Sequence, residues 1–153
     1  MAKFKYRMQN ILDVKRKLED AAKLEFGQAS AKVREEERKL ENLNDRKNAY
    51  EAEGRKLRKE KLNVMDLRSN TEAISALKEM IVVQEAEVQK SKEFLEFKRV
   101  QLQNAMQERK TQDKLYENAF QEFMQEENAR ESKEVDELVS YVYGQRAKEQ
   151  GEA

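Results

Sequence analysis

From Ile74 to Phe123 the residue at every seventh position is Ile74, Ile81, Val88, Leu95, Leu102, Arg109, Tyr116 and Phe123, and seven of these eight are apolar. No proline interrupts the chain. A strict seven-residue apolar period specifies one long helix whose seam must lie against another helix. A bare helical pair has no buried pocket for chemistry. A chain of this kind works by being gripped, inserted or docked.

Composition agrees with the period. Charged residues make up 41% and apolar residues 38% of 153, the mixture expected of a coiled coil. High charge with few aromatics also suits disorder. The net charge is zero, however, and the apolar residues recur periodically rather than being scattered, which favours an ordered pair. Cysteine is absent, so disulfides and thiol chemistry are excluded. No run of 18 apolar residues is available to span a membrane. The basic start, Met1 to Leu18, lacks the apolar core of a signal peptide, and Asp13, Glu19 and Asp20 speak against a mitochondrial presequence. A cytoplasmic location is expected.

The pattern predicts a first helix from about residue 4 to about 62–66. Its apolar stripe includes Met8, Ile11, Leu18, Ala22, Ala29, Val33, Leu40, Leu43, Tyr50, Leu57 and Val64. The spacing is mostly three and four, which is one helix face. Glu36, Lys47, Gly54 and Lys61 interrupt it. Gly27 and Gly54 read as tolerated positions or as points where the partner backbone comes close. The turn is expected at about 63–71, where Ser69 and Glu72 have capping-box spacing and Asn70 or Thr71 offers an alternative cap. A second helix follows from about 70 to 143. Gly144 suits the residue after a helix end, leaving a frayed tail over 144–153. The expected fold is therefore all-α: a single domain formed by a long antiparallel two-helix coiled-coil hairpin.

Charge supports the reversal. Residues 1–69 hold 19 basic and 13 acidic side chains, a net of +6; residues 70–153 hold 12 and 18, a net of −6. Such pairs are individually weak but together favour an antiparallel register. With the turn near residue 67, residue i faces roughly 135−i. Val135, Leu138, Val139 and Val142 then project beyond the paired region as an uncovered apolar stripe, the mark of a docking surface.

Catalytic equipment is missing. Histidine and cysteine are absent, which removes the commonest general base, the common zinc ligands and thiol nucleophiles. No phosphate-cradling glycine loop is legible. Glutamates at helical spacing are ordinary solvated faces of a coiled coil. The basic run Arg55 to Lys61 lacks interleaved aromatics for base stacking, so nucleic acid is a poor partner. No enzyme activity, cofactor or metal site is expected.

The opening Phe4-Lys5-Tyr6-Arg7-Met8-Gln9-Asn10-Ile11-Leu12-Asp13 resembles the start of the flagellar export protein FliJ family. The later stretch Glu131-Ser132-Lys133-Glu134-Val135-Asp136-Glu137-Leu138 is similar to that family's K-x-x-D-E-apolar ending, and the start of the second helix, Ala73 to Ile81, agrees as well. The resemblance covers essentially the whole chain. It implies a component of the flagellar type III export apparatus, at the cytoplasmic face of the inner membrane, built like the central stalk of rotary ATPases. It further implies that the two termini enter the hexameric export ATPase FliI and promote its assembly and activity. Other implied partners are the export gate protein FlhA and, in a recycling role, export chaperones. A generic coiled-coil export chaperone or structural adaptor is the alternative.

On this resemblance the ATPase-ring residues are Phe4, Arg7, Ile11, Asp136, Glu137, Leu138, Val139 and Val142. The export-gate patch matches Leu43 and Tyr50 on the first helix and Ala73, Leu77, Met80 and Gln84 on the second. Lys39 and Arg46 are polar at matching positions. Leu43, Tyr50 and Leu77 also fit the seam, so both readings of them stand.

Overall fold

A computed structural model describes residues 2–60 and 63–151. Two helices account for nearly all of it: α1, Gln9–Lys59 (51 residues), and α2, Val64–Gly151 (88 residues). No strand occurs among the described residues. The chain divides into two units, Met1–Lys17 with Gln107–Ala153, and Leu18–Met106. In each, a segment from the first half of the chain lies antiparallel against α2. The all-α helical hairpin expected from the seven-residue period is the observed fold.

In the unit formed by Leu18–Met106, Ala29 and Val33 of α1 are buried with Leu77, Ile81 and Val88 of α2, while Ile74 and Leu95 are half-buried. Their spacing follows the heptad. In the other unit, Leu12 is 1% exposed, and Arg109, Tyr116 and Phe123 continue the seam half-buried. Arg109 breaks the apolar rule without leaving the seam, because Asp113 receives its guanidinium one turn further on at 2.7 Å. Asp113 also takes Arg16 from the opposite segment, at 3.5 Å. On α1 the expected stripe is buried or half-buried from Ala22 to Leu57 and is displaced only near the start of the helix. Ile11 and Leu18 are about half exposed, and their neighbours Leu12 and Glu19 are turned inward instead.

The chain does not become helical at Phe4. Residues 2–6 are irregular, a turn follows, and α1 begins at Gln9. The stretch Lys3-Phe4-Lys5-Tyr6-Arg7-Met8 alternates with period two, the spacing of an extended segment with one face covered. Phe4 sits with its ring centroid 5.5, 5.3 and 5.2 Å from those of Tyr116, Phe120 and Phe123, and Tyr6 stands edge-on to Tyr116 at 5.1 Å. Lys3, Lys5 and Arg7 face water. Aromatic packing outweighs helix propensity here, each close pair adding about 0.5–1.5 kcal/mol beyond area burial.

The reversal also lies earlier than expected. Asn63 caps α2: its side-chain oxygen accepts from the amide of Met65 at 3.1 Å, and its carbonyl accepts from Leu67. Val64 and Met65 therefore belong to α2, and the helix runs straight through Ser69, Asn70 and Thr71. Residues 61 and 62, including the seam interruption at Lys61, lie outside the described residues. With the turn earlier, the register shifts. Lys15 meets Glu108 in one unit and Glu25 meets Lys98 in the other, and each pair of numbers sums to 123 rather than 135. The helix also continues through Gly144, which has no positive φ, to Gly151. Gln145 donates to the Tyr141 hydroxyl at 2.9 Å and carries the helical face across the glycine.

The two α1 glycines differ. A β-carbon on Gly27 would meet nothing within 4 Å, whereas on Gly54 it would lie 2.5 Å from Oδ1 of Asn70. Asn70 cannot easily retreat: it is 6% exposed, and its amide donates to the Tyr50 carbonyl at 2.8 Å. Gly54 is thus the close-approach case and Gly27 the tolerated one. Gly27→Ala should raise stability by about 1 kcal/mol through helix propensity alone. Gly54→Ala should lower it by about 1 kcal/mol, because the lost Asn70 hydrogen bond outweighs that gain. Thermal denaturation followed by circular dichroism checks both signs.

Candidate functional site

The expected ring-binding residues fall in the unit formed by Met1–Lys17 and Gln107–Ala153, but not as one cluster. Phe4 is held among aromatic rings of α2 and anchors the start of the chain. Arg7 is exposed, and Ile11 is 45% exposed beside the buried Leu12. Asp136, Glu137, Leu138, Val139 and Val142 lie beyond Phe123, the last ring Phe4 touches. At 1.5 Å per residue, Asp136 is about 20 Å further along α2. The two groups are therefore separate surfaces.

The second group belongs to an uncovered helical end. Glu127, 7% exposed, is the last buried residue of α2. Every described residue after it is exposed. The uncovered segment thus begins near Asn128, several residues before the expected start at Val135, as the shorter register sum requires. Val135, Leu138, Val139 and Val142 are 59, 66, 46 and 41% exposed and share one face at i, i+3, i+4 and i+7. Asp136 and Glu137 are rotated off that face by the 100° step of the helix. The structure thus separates an apolar face from an acidic one among residues that the sequence motif runs together.

The expected gate-binding residues all fall in the unit Leu18–Met106, where they divide three ways. Leu43, Met80 and Gln84 line a shallow groove of about 510 Å³ with Val83. Tyr50 and Ala73 line a second depression of about 430 Å³ nearer the turn, with Leu57 and Asn70. Leu77 is 3% exposed and belongs to the core. Of the two readings of Leu77, the seam is the one its position fits.

Beside the first groove lies a polar layer that the sequence showed only as an interruption. Glu36 occupies a seam position at 5% exposure. Its carboxylate accepts from Gln84 at 2.6 Å, from Lys32 at 2.8 Å and from Lys39 at 3.3 Å. Gln84 also donates to the Glu36 carbonyl at 3.0 Å. The Lys32 hydrogen bond, then that of Gln84, holds the Glu36 carboxyl down at about 2, and burial opposes them. A layer one helix pair thick shields the group from contact with water but not from its polarisation, so the donors outweigh desolvation. The same contact raises the Lys32 ammonium. Gln84 is thereby spent inside the helix pair and has its amide turned to Glu36 rather than outward.

The architecture defines a class: an all-α, two-helix pairing protein with one uncovered apolar helix end and no metal-binding cluster of acidic side chains among the described residues. No described helix is long and apolar enough to cross a membrane. Within that class the chain belongs to the FliJ family, since the family model for the flagellar FliJ protein matches residues 4–148 of the 153. It is accordingly a component of the flagellar protein export machinery, which serves flagellum biogenesis and motility. No curated protein and no solved structure matches the chain.

The depressed Glu36 carboxyl carries a pH dependence. Its folded value of about 2 lies below the ordinary 4.5, so the native state binds this proton less readily than the unfolded chain. Its contribution is full above the ordinary value and disappears as pH falls from there through about 2. Glu36→Gln should therefore lose less stability than the parent between about pH 6 and about pH 3. Urea denaturation at the two pH values measures the difference.

Proposed function

We propose that this chain is the non-enzymatic stalk component of the flagellar type III export apparatus, working at the cytoplasmic face of the inner membrane. The uncovered end of α2 enters the hexameric export ATPase FliI and promotes its assembly and turnover. The observation that carries this reading is the stripe Val135, Leu138, Val139 and Val142, left bare on a helix that has run past its partner. A helix in water draws most of its stability from a packed apolar face, so this end is suited to a host that supplies the missing wall. Arg7 and Ile11, exposed further back in the same unit, suit the rim of such a ring.

The link to the export gate FlhA is assigned to the groove of Leu43, Met80 and Val83, with Tyr50 and Ala73 in the adjoining depression. Leu77 acts there by holding the two helices together, being buried beneath them. Contact with export chaperones belongs to the same reading as a secondary role.

Among the described residues, truncation after Arg130 removes only exposed ones, so the remaining chain should keep its helical signal per residue and its melting cooperativity. Its stimulation of ATP turnover by the export ATPase should fall to the level of the ATPase alone. Undiminished stimulation would contradict the proposal. Binding of unfolded export substrates in the absence of the ATPase would favour the chaperone reading instead.

A further inference from the structure

We infer that the turn end of the unit Leu18–Met106 docks on an anionic phospholipid surface, with Val64 and Met65 entering the headgroup layer and the basic side chains beside them on the phosphates. Val64 and Met65 are 74 and 72% exposed, more than any other large apolar side chain among the described residues. They open α2 directly after the turn. The sequence around them is basic. Residues 55–68 hold Arg55, Lys56, Arg58, Lys59, Lys61 and Arg68 against Glu60 and Asp66, a net of +4. Arg55, Lys56, Arg58 and Lys59 close α1, are exposed, and form no ion pair with any described residue. Arg68 is paired with Glu72 at 3.3 Å.

Charge and bare apolar side chains together select the partner. Cations alone would suit any polyanion, but Val64 and Met65 gain nothing from a hydrated one. Nor does the stretch 55–68 contain an aromatic ring on which a base could stack. An anionic bilayer supplies both halves: phosphates for the basic side chains and, beneath them, acyl chains for the valine and methionine. From Arg55 to Lys59 the helix rises about 6 Å, within the ~10 Å Debye length at 0.1 M salt, so all four charges act on one surface. The next acids, Glu53 and Glu72, are set back about 9 and 12 Å from the helix ends at Lys59 and Val64. The start of the chain is also basic, but its groups are already engaged. Phe4 and Tyr6, which alternate with Lys3, Lys5 and Arg7, pack on rings of α2, and Lys15 and Arg16 are paired with Glu108 and Asp113. The inference rests on the membrane-face location proposed above and on neither the ATPase nor the gate assignment.

Vesicles test this on the full chain without any other protein. The chain should co-sediment with vesicles of equal parts phosphatidylglycerol and phosphatidylcholine, and not with phosphatidylcholine alone. Each basic side chain near such a surface contributes about fivefold in affinity, so Arg58→Gln with Lys59→Gln should weaken binding about 25-fold. Both residues are exposed, so the thermal melt of that variant should be nearly unchanged. The contact point is read separately, because the chain has no tryptophan. On addition of the anionic vesicles the emission of Val64→Trp should move to shorter wavelength. Leu24→Trp, at an exposed position on α1, should not shift. Failure to co-sediment, equal binding to both vesicle types, or an unweakened double variant would overturn the inference. So would a shift at residue 24 as large as that at residue 64, or tighter binding to a DNA duplex than to the vesicles. The location itself is reported by recovery of the chain with the membrane fraction of cells, and the stalk reading by ATP turnover, so the failures are distinguishable.

Discussion

A two-helix pair has one seam and no second layer behind it. Each seam position is therefore decisive, and the polar ones are more decisive than the apolar ones. Leucine and valine can pack against one another in several registers, but Glu36 finds Gln84 in only one. Asn70 likewise needs both the Tyr50 carbonyl as acceptor and the bare backbone of Gly54 to make room for it. These two interlocks lie in the unit Leu18–Met106 and fix which residue faces which. Moving the chain by one heptad would take Gln84 from Glu36, which would keep only the lysines of its own helix, and would leave the Asn70 amide buried without the Tyr50 carbonyl, at a cost of about 1–3 kcal/mol for that amide. The apolar heptads provide cohesion, and the polar residues select the register.

The register determines what remains uncovered. Phe4 docks against Tyr116, Phe120 and Phe123, and past Glu127 every described residue of α2 is exposed. An acidic face and an apolar face are thereby offered on the same uncovered helix.

Much of this was legible in the residues. The heptad from Ile74 to Phe123 identified the second helix and its buried face, Arg109 included, because a seven-residue period has only one structural interpretation at that length. The opening and ending motifs pointed to the family that the match over residues 4–148 shows. The boundaries were less legible. Ser69 and Glu72 have capping-box spacing, but Asn63 also caps, and the half-buried Leu67 extends the helix back to it. Gly144 carries a stop signal, yet a glycine inside a long helix costs only about 1 kcal/mol and does not end it. The alternation of Lys3 to Met8 was present in the sequence and overshadowed by helix propensity. The net charges of +6 and −6 foretold the reversal but not its contacts. In the unit Leu18–Met106 the cross-helix pairs run the other way, from Lys92 and Lys98 of α2 to Glu37 and Glu25 of α1. Local geometry, not net charge, chooses the partners.

Amide hydrogen exchange on the full chain at about 2 µM, with and without the export ATPase, addresses the central claim directly. The bare apolar face should leave residues 131–151 exchanging rapidly in the free chain, while amides around Leu12, Leu77 and Ile81 are slow, and adding the ATPase should slow 131–151 selectively. Strong protection of that segment in the free chain, or no change when the ATPase is added, would contradict it.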